Sequence, residues 1–137
     1  MKLSEIAEKT GALVERGDSL TEIHSAAGLD IAQPGEITFL ANPKYTPQVK
    51  ETHASAIFLS EGVKIKRDDI AILRAQDAYV AYTLALREFY PAPPISHTIH
   101  ASAIVDPSAE IADDVEICAS VVIGKDCKIE SGVKLFP

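Results

Sequence analysis

The stretch IHASAIVDPSAEIADDVEICASVVIGKDCKIESGVKLFP, residues 99–137, carries an aliphatic residue at every sixth position. These positions are Ile99, Val105, Ile111, Ile117, Ile123, Ile129 and Leu135. A second track lies four residues after each of the first six, and its members are small or β-branched: Ala103, Ala109, Val115, Val121, Cys127 and Val133. Because a period of six suits neither a helix nor a simple alternating strand, it indicates a parallel β-helix.

Three hexads make one coil of such a helix, so residues eighteen apart in this stretch are expected to stack. The predicted columns are Ile99 with Ile117 and Leu135, Val105 with Ile123, and Ile111 with Ile129. Their side chains are expected to point inward, with successive coils about 4.8 Å apart, as in any sheet. The pattern alone does not fix the handedness, since parallel crossovers are nearly always right-handed.

The first 90 residues alternate between helical and strand patterns, which predicts a small mixed sheet with helices packed on it, an α+β fold. Helices are expected at 4–10, capped by Ser4 and stopped by Gly11, and at 78–90, capped by Asp77. Strands are expected at 20–26, 37–40, 56–59 and 71–73, with a loop at 41–45. One face of the second helix is interpreted as core, and it carries Tyr79, Tyr82, Leu86 and Phe89.

The segment Pro91-Ala92-Pro93-Pro94 cannot continue a helix and favours extended backbone. We therefore expect a domain at 1–90, a proline-rich linker at 91–98 and the start of the β-helix at 99–137. The end of the sequence at Pro137 then falls after roughly two coils.

Composition excludes several functional classes. A net charge of −7 gives no basic surface for nucleic acid, and the N-terminus lacks the apolar region of a signal peptide. The longest apolar run, Ala54–Leu59, is too short to span a bilayer, so we expect a cytoplasmic protein. Cys118 and Cys127 lack zinc-site spacing and are interpreted as reduced residues in small positions. Neither a metal nor a cofactor is implied.

The stretch GEITFLANPKY, residues 35–45, closely resembles the signature of the UDP-3-O-acylglucosamine N-acyltransferases of lipid A biosynthesis. The helix after Asp77, the proline segment and the entry His100-Ala101-Ser102-Ala103 into the hexads are similar to that family as well. This resemblance runs along the whole chain in order. It implies that the β-helix is left-handed, because hexapeptide acyltransferases are the known exception to right-handed crossovers.

In that family the N-terminal domain holds the uridine of a UDP-glucosamine substrate between two aromatic rings, with an asparagine between them in sequence. The matching positions here are Phe39, Asn42 and Tyr45. Ring stacking and an amide with both donors and an acceptor suit a uracil base. Lys44 is a candidate phosphate contact, with a solvated side chain as the alternative. The alternatives for Phe39 and Tyr45 are a core aromatic and an exposed loop tyrosine.

The resemblance also implies the transfer of a 3-hydroxyacyl chain from acyl carrier protein to the 2-amino group of the sugar, in a homotrimer. The family's general-base histidine lies several coils beyond Pro137, so no catalytic residue is assigned and the chain alone is expected to be inactive. The four histidines present, His24, His53, His97 and His100, do not match that position, and the last two are interpreted as surface or packing residues.

Two other interpretations stay open at this point. The chain could be a stand-alone uridine-nucleotide-binding module whose two coils form a trimerisation stub, or a purely structural hexapeptide protein. A β-helix carbonic anhydrase is disfavoured, because the hexads after His100 contain no histidine to hold zinc.

Overall fold

The structure is a computed structural model that describes residues 1–137. The chain divides into two compact units, Met1–Ala92 and Pro93–Pro137, which are described separately. In the first unit the helices and strands are, in chain order, α1 (Leu3–Thr10), β1 (Leu13–Arg16), β2 (Ser25–Ala26), β3 (Glu36–Leu40), a 3-10 helix (Pro43–Lys50), β4 (Ala56–Ser60), β5 (Ala71–Ala75) and α2 (Ala78–Phe89).

A single five-stranded sheet organises the first unit, with the strand order β1-β5-β4-β3-β2. Strands β2, β3, β4 and β5 pair in parallel, whereas β1 pairs with β5 in the antiparallel sense. The sheet is therefore mixed, and the predicted α+β arrangement of this part of the chain is confirmed. The three long parallel strands carry consecutive apolar residues because both faces of the sheet are covered.

Two hydrophobic cores lie on opposite faces of this sheet. One contains buried side chains of α1 and α2 with Ile37, Phe58 and Leu73 from the strands. The other contains Leu40 and Ile57 together with residues of the loops that cross the second face. Neighbouring strand residues thus enter different cores, as the alternation of side chains along a strand requires.

Helix α1 ends as predicted, but its start differs from the prediction. Gly11 follows the helix with φ of 68°, a left-handed conformation that glycine adopts without strain, and its N–H closes the last turn. Ser4 is not the cap, because it already lies inside the helix. Lys2 is the cap residue instead, and its N–H donates to the carboxylate of Glu5, in the first turn of the helix, at 2.9 Å.

Helix α2 begins at Asp77, whose carboxylate accepts hydrogen bonds from the N–H groups of Tyr79 and Val80, so the predicted cap is confirmed. The prediction of a four-residue core stripe is only partly correct. Tyr82 is buried, and Leu86 and Phe89 pack against the core, but Tyr79 is 58% exposed. The buried face is completed instead by three alanines of the helix: Ala78, Ala81 and Ala85.

The strand predicted at 20–26 is wrong for most of its length. Only Ser25–Ala26 pairs in the sheet. The chain turns at Asp18, whose carboxylate accepts the Leu20 N–H, and residues 21–23 then hydrogen-bond with residues 1–3 and not with the sheet. Strand β1 was not predicted. It is a four-residue edge strand with an irregular register and an exposed Leu13, so it lacks the apolar run by which a buried strand is recognised.

The second unit contains six strands of two residues each: β6 (Ile104–Val105), β7 (Glu110–Ile111), β8 (Glu116–Ile117), β9 (Val122–Ile123), β10 (Lys128–Ile129) and β11 (Lys134–Leu135). Each pairs in parallel with the strand eighteen residues away, as β6 with β9, β7 with β10 and β8 with β11. A bridge joins Ile99 and Ile117 in the same way. The predicted columns of residues eighteen apart are thus present.

The hexad side chains form a third hydrophobic core, in which Val115, Ile117, Val121 and Ile123 are buried. Ile99 departs from the prediction of an inward column, because it is 53% exposed and lies outside this core. It belongs to the end of its column, where no residue covers it from the other side. Cys118 and Cys127 are unpaired, half-buried thiols of the core, consistent with their interpretation as small packing residues.

Serine side chains tie successive repeats together at the turns between strands. The Ser102 hydroxyl accepts the N–H of Ser120 at 3.1 Å, and the Ser108 hydroxyl accepts the N–H of Asp126 at 3.0 Å. Both donors have positive φ, 62° at Ser120 and 56° at Asp126. Each hydroxyl therefore satisfies a turn N–H that no strand pairing reaches.

No helix of this structure combines the length and the apolar character that a membrane crossing needs.

Thr38, in the centre of β3, provides a test of the packing around this strand. Its side chain is fully buried and its hydroxyl has no hydrogen-bond partner. Substitution Thr38→Val removes this unsatisfied group with little change of shape, so we expect the free energy of unfolding to rise by about 1 kcal/mol. Urea denaturation followed by circular dichroism measures the change.

Thr10→Val is the matched control, because Thr10 is also buried but its hydroxyl donates to the Ile6 carbonyl at 2.7 Å. The same chemical change should lower the free energy of unfolding there by about 1 kcal/mol. Equal effects of the two substitutions would contradict the assignment of Thr38 as an unsatisfied donor.

Candidate functional site

A mainly apolar opening lies beyond the carboxyl ends of β2 and β3. It has a volume of about 420 Å³ and is lined by Gly28, Leu29, Asp30, Phe39, Leu40, Ala41, Asn42, Tyr45 and Gln48. Ligands of sheets with parallel strands commonly bind at this end of the strands. The volume falls in the range of small-molecule sites, about 300–1,000 Å³.

Asn42 organises the chain as it leaves β3. The backbone there is extended, with φ of −113° and ψ of 120°, and the side-chain Oδ1 accepts the Lys44 N–H at 2.9 Å. Pro43 follows at the first helical position, where its missing N–H costs nothing. The predicted loop at 41–45 is therefore wrong in its second half, since a 3-10 helix begins at Pro43.

The far end of the 3-10 helix is held by Arg67. Its guanidinium donates to the carbonyl oxygens of Val49 at 2.8 Å and Thr52 at 2.6 Å. Asp69 holds that guanidinium in a two-bond pair, and the Arg67 side chain in turn lowers the pKa of Asp69 to about 2. The helix that carries Tyr45 and Gln48 is thus fixed at both ends before any ligand binds.

Phe39 is half-buried near the end of β3, where it lines the pocket and its ring packs on α2. The ring stacks on Tyr82 with centroids 4.3 Å apart and planes 28° from parallel. Tyr79 approaches at 5.5 Å in a tilted arrangement. Phe39 is therefore both a packed aromatic and a pocket-lining residue, so the two interpretations of its role are not exclusive. Burial raises the pKa of Tyr82, which keeps the ring beneath Phe39 neutral.

The structure brings together three of the four predicted site residues. Phe39, Asn42 and Tyr45 all line the same pocket, and Tyr45 keeps 47% of its surface exposed. Lys44 is exposed and does not line the pocket, although its backbone N–H is engaged by Asn42. The 39–45 stretch thus contributes one side of the opening.

The opposite side of the pocket was missed by sequence reasoning. It comes from Gly28, Leu29 and Asp30, which follow β2. Gln48, on the same 3-10 helix as Tyr45, also lines the pocket and was not predicted. The signal available was the position of residues 28–30 directly after a parallel strand next to β3. The predicted strand 20–26 ends at the same residue, Ala26, but the sequence pattern does not show that this strand pairs with β3.

Glu36, the first residue of β3, closes the loop that carries this second side. Its carboxylate accepts hydrogen bonds from the Ser25 hydroxyl at 2.6 Å and the Gln33 N–H at 2.8 Å. The Ser25 hydroxyl, with the Gln33 N–H as the second contribution, holds the pKa of Glu36 below its ordinary value of 4.5, while burial acts in the opposite sense. The loop between β2 and β3 is thereby fastened at its base.

None of the four histidines lines this pocket, and no group of three or more His, Cys, Asp or Glu side chains is arranged to hold a metal ion. His97 and His100 are both exposed, and the His100 Nδ1 lies 2.9 Å from the Ser102 hydroxyl.

The chain thus combines a mixed α/β unit, which has a pocket at its strand ends, with a segment of parallel strands that repeat every eighteen residues. Residues 21–88 match the family model for UDP-3-O-(3-hydroxymyristoyl) glucosamine N-acyltransferase, LpxD. All the pocket residues lie inside this range.

Relatives match over most of the chain. The chain is 34% identical to UDP-3-O-acylglucosamine N-acyltransferase 1 of Koribacter versatilis, over 85% of this chain and 35% of the relative. It is 38% identical to the UDP-3-O-acylglucosamine N-acyltransferase of Pseudomonas syringae pv. syringae, over 98% of this chain and 36% of the relative. The match to the enzyme of that name from Syntrophotalea carbinolica is 35% identical, over 90% and 35%.

The chain therefore belongs to the UDP-3-O-acylglucosamine N-acyltransferase family. It spans about a third of the length of these relatives.

The Glu36 hydrogen bonds predict a pH dependence of stability. Because the folded-state pKa lies below 4.5, this carboxylate stabilises the fold fully above that pH and loses its contribution as the pH falls through the folded-state value. Glu36→Gln should lower the unfolding midpoint at pH 7, and the difference from the parent protein should shrink under acid. Thermal unfolding measured from about pH 7 to about pH 3 follows both effects.

A difference between the two proteins that stays constant over this whole pH range would contradict the role assigned to the Glu36 carboxylate. Glu130→Gln serves as the control, because Glu130 is exposed and its carboxylate forms an ion pair with the exposed Lys128.

Proposed function

We propose that this chain is the N-terminal part of an enzyme that moves a 3-hydroxyacyl chain from acyl carrier protein to the 2-amino group of UDP-3-O-acylglucosamine in lipid A biosynthesis. In this proposal the Met1–Ala92 unit recognises the uridine of the nucleotide sugar. The observation that carries it is the pocket lined at once by Phe39, Asn42 and Tyr45. The names of the relatives agree with a UDP-acylglucosamine substrate for this family.

The aromatic residues suit a flat base. Tyr82 covers one face of the Phe39 ring, so the base contacts the part of that ring that opens to the pocket. Tyr45 then packs against the other face of the base. Stacking of a base on an aromatic side chain contributes about 1–3 kcal/mol in proteins that bind single-stranded nucleic acids. Because Phe39 is already held by α2, little side-chain freedom is lost when the base enters.

Asn42 supplies selectivity for uracil through the NH₂ group of its side-chain amide. Its Oδ1 accepts the Lys44 N–H, so the NH₂ group is the part available for a ligand. An NH₂ donor pairs with a carbonyl oxygen such as O4 of uracil. At the same ring position cytosine carries an amino group, which is itself a donor and leaves both groups unpaired.

For the second unit we propose a left-handed β-helix that assembles into a homotrimer in the cytoplasm. The outward residues of one column, Ile104 and Val122, pair with each other and are 64% and 70% exposed. The other two outward columns are charged, as Glu110 opposite Lys128 and Glu116 in an ion pair with Lys134. A neighbouring copy that covers the apolar column removes this surface from water.

Binding and transfer are separate in this proposal. Lys44, exposed beside the pocket, meets the phosphates outside it. Acyl transfer needs a general base near the sugar amine, and none of the chain's histidines lines the pocket. We therefore expect the isolated 137-residue chain to bind the nucleotide without transferring an acyl group, and acyl transfer by this chain alone would contradict this part of the proposal.

Titration with UDP-N-acetylglucosamine, followed by amide NMR shifts, tests the uridine site. We expect shifts confined to residues 28–30 and 39–48, the two sides of the pocket. Shifts elsewhere, or none at millimolar ligand, would overturn the proposal.

Asn42→Asp sharpens this test, because aspartate keeps an oxygen that can cap the Lys44 N–H while the NH₂ donor is lost. The variant should bind UMP about tenfold more weakly than the parent and should bind CMP at least as well as UMP. Fluorescence or NMR titrations of both nucleotides measure the ratio. An unchanged preference for UMP would show that the Asn42 amide does not read the base.

A further inference from the structure

Asp30 introduces a carboxylate into the pocket that nothing in the protein engages. It is exposed, it lines the opening, and it forms neither a hydrogen bond through its side chain nor an ion pair. Among the pocket-lining residues it is the only one with a charge. The other lining residues are apolar or carry amides, so this carboxylate is a free hydrogen-bond acceptor for a donor group of a ligand.

The backbone beneath Asp30 is held firmly. The Gly28 carbonyl accepts the N–H groups of Ile31 at 3.1 Å and Ala32 at 2.9 Å, which closes a short turn. Leu29 and Ala32 are buried in the second core of the sheet, so the turn is anchored on both sides of Asp30. The carboxylate is thereby presented from a fixed position.

Gly28 leaves room for this carboxylate. A Cβ atom placed on Gly28 would lie 3.1 Å from the Asp30 Oδ1, closer than ordinary van der Waals contact. The carboxylate therefore folds over Gly28, which itself lines the pocket. The backbone of Gly28 does not have positive φ, so the glycine is needed here for space and not for its conformation.

The charge of Asp30 decides which part of a nucleotide it can face. A carboxylate repels phosphate, and it accepts hydrogen bonds through two oxygens. In a nucleotide whose base occupies the apolar interior, the ribose lies next outward, before the phosphates. Its two neighbouring hydroxyls are donors spaced for the two oxygens of one carboxylate, and dinucleotide-binding α/β folds likewise use a carboxylate to bind a ribose hydroxyl.

We infer that Asp30 accepts the hydroxyls of the ribose and makes the pocket selective for ribonucleotides over 2′-deoxyribonucleotides. The inference rests on the proposed uridine site. The Asp30 carboxylate also repels the phosphates, which directs them away from the β2 side of the pocket and towards the exposed side that carries Lys44.

Comparison of UMP with 2′-deoxyuridine monophosphate tests the inference, because the two ligands share base and phosphate and differ by one hydroxyl. The parent protein should bind UMP about tenfold more tightly, the effect of one charge-assisted hydrogen bond. Asp30→Asn should lose most of this preference, by weakening UMP binding and leaving the deoxynucleotide almost unchanged. Affinities come from calorimetry or NMR titration.

Two further variants keep the test independent of folding and of net charge. Gly28→Ala retains the carboxylate but displaces it, so it should reduce the ribose preference by a smaller factor than Asp30→Asn. Asp113→Asn makes the same change of charge at an exposed residue of the second unit and should leave the preference as in the parent.

The outcomes separate this inference from the proposed function. If the parent binds both nucleotides equally, or if Asp30→Asn weakens both to the same extent, the role of Asp30 is wrong while the uridine site stands. If neither nucleotide binds the parent, the uridine site and the role of Asp30 are both overturned.

Discussion

The register of strand β3 is the constraint on which the first unit depends. This strand pairs with β2 on one side and β4 on the other, and its residues Ile37 and Leu40 are buried in opposite cores. A slip by one residue would exchange the two faces and move each side chain into the other core, where its shape does not match the packing. The strand ends at Leu40, and Asn42 then caps the 3-10 helix that follows, because its side-chain oxygen accepts the Lys44 N–H. The register of β3 therefore sets the positions of Phe39, Asn42 and Tyr45 in the pocket.

The buried parallel strands were predictable because each is a short run of apolar residues between polar ones, as in Ala56–Ser60. The edge strand Leu13–Arg16 was not, since half of it faces water and its pairing is irregular. In the second unit the six-residue pattern was sufficient to predict the strand pairing, because inward and outward positions repeat without interruption. The partners of Ile117 and Ile123 are the residues eighteen positions away.

The candidate site divides in the same way. Phe39, Asn42 and Tyr45 lie within one short stretch, so a sequence pattern can contain them all. Leu29 and Asp30 join them only because β2 lies beside β3, a fact about pairing that no local pattern carries. The stacking of Phe39 on Tyr82 is similar, because it joins residues far apart in sequence through the packing of α2 on the sheet. Local chemistry was predictable, and the opposite wall of the pocket was not.

The serine hydrogen bonds between repeats have a consequence for how this protein can change over evolution. Ser102 and Ser108 reach donors in the next repeat, eighteen residues on, and every strand there is only two residues long. Deleting or inserting one residue would therefore break the alignment of every later column at once. Length changes in residues 99–137 are therefore expected only as whole coils of eighteen residues or as bulges confined to a turn, whereas a loop of the first unit that does not line the pocket can change length without shifting a strand.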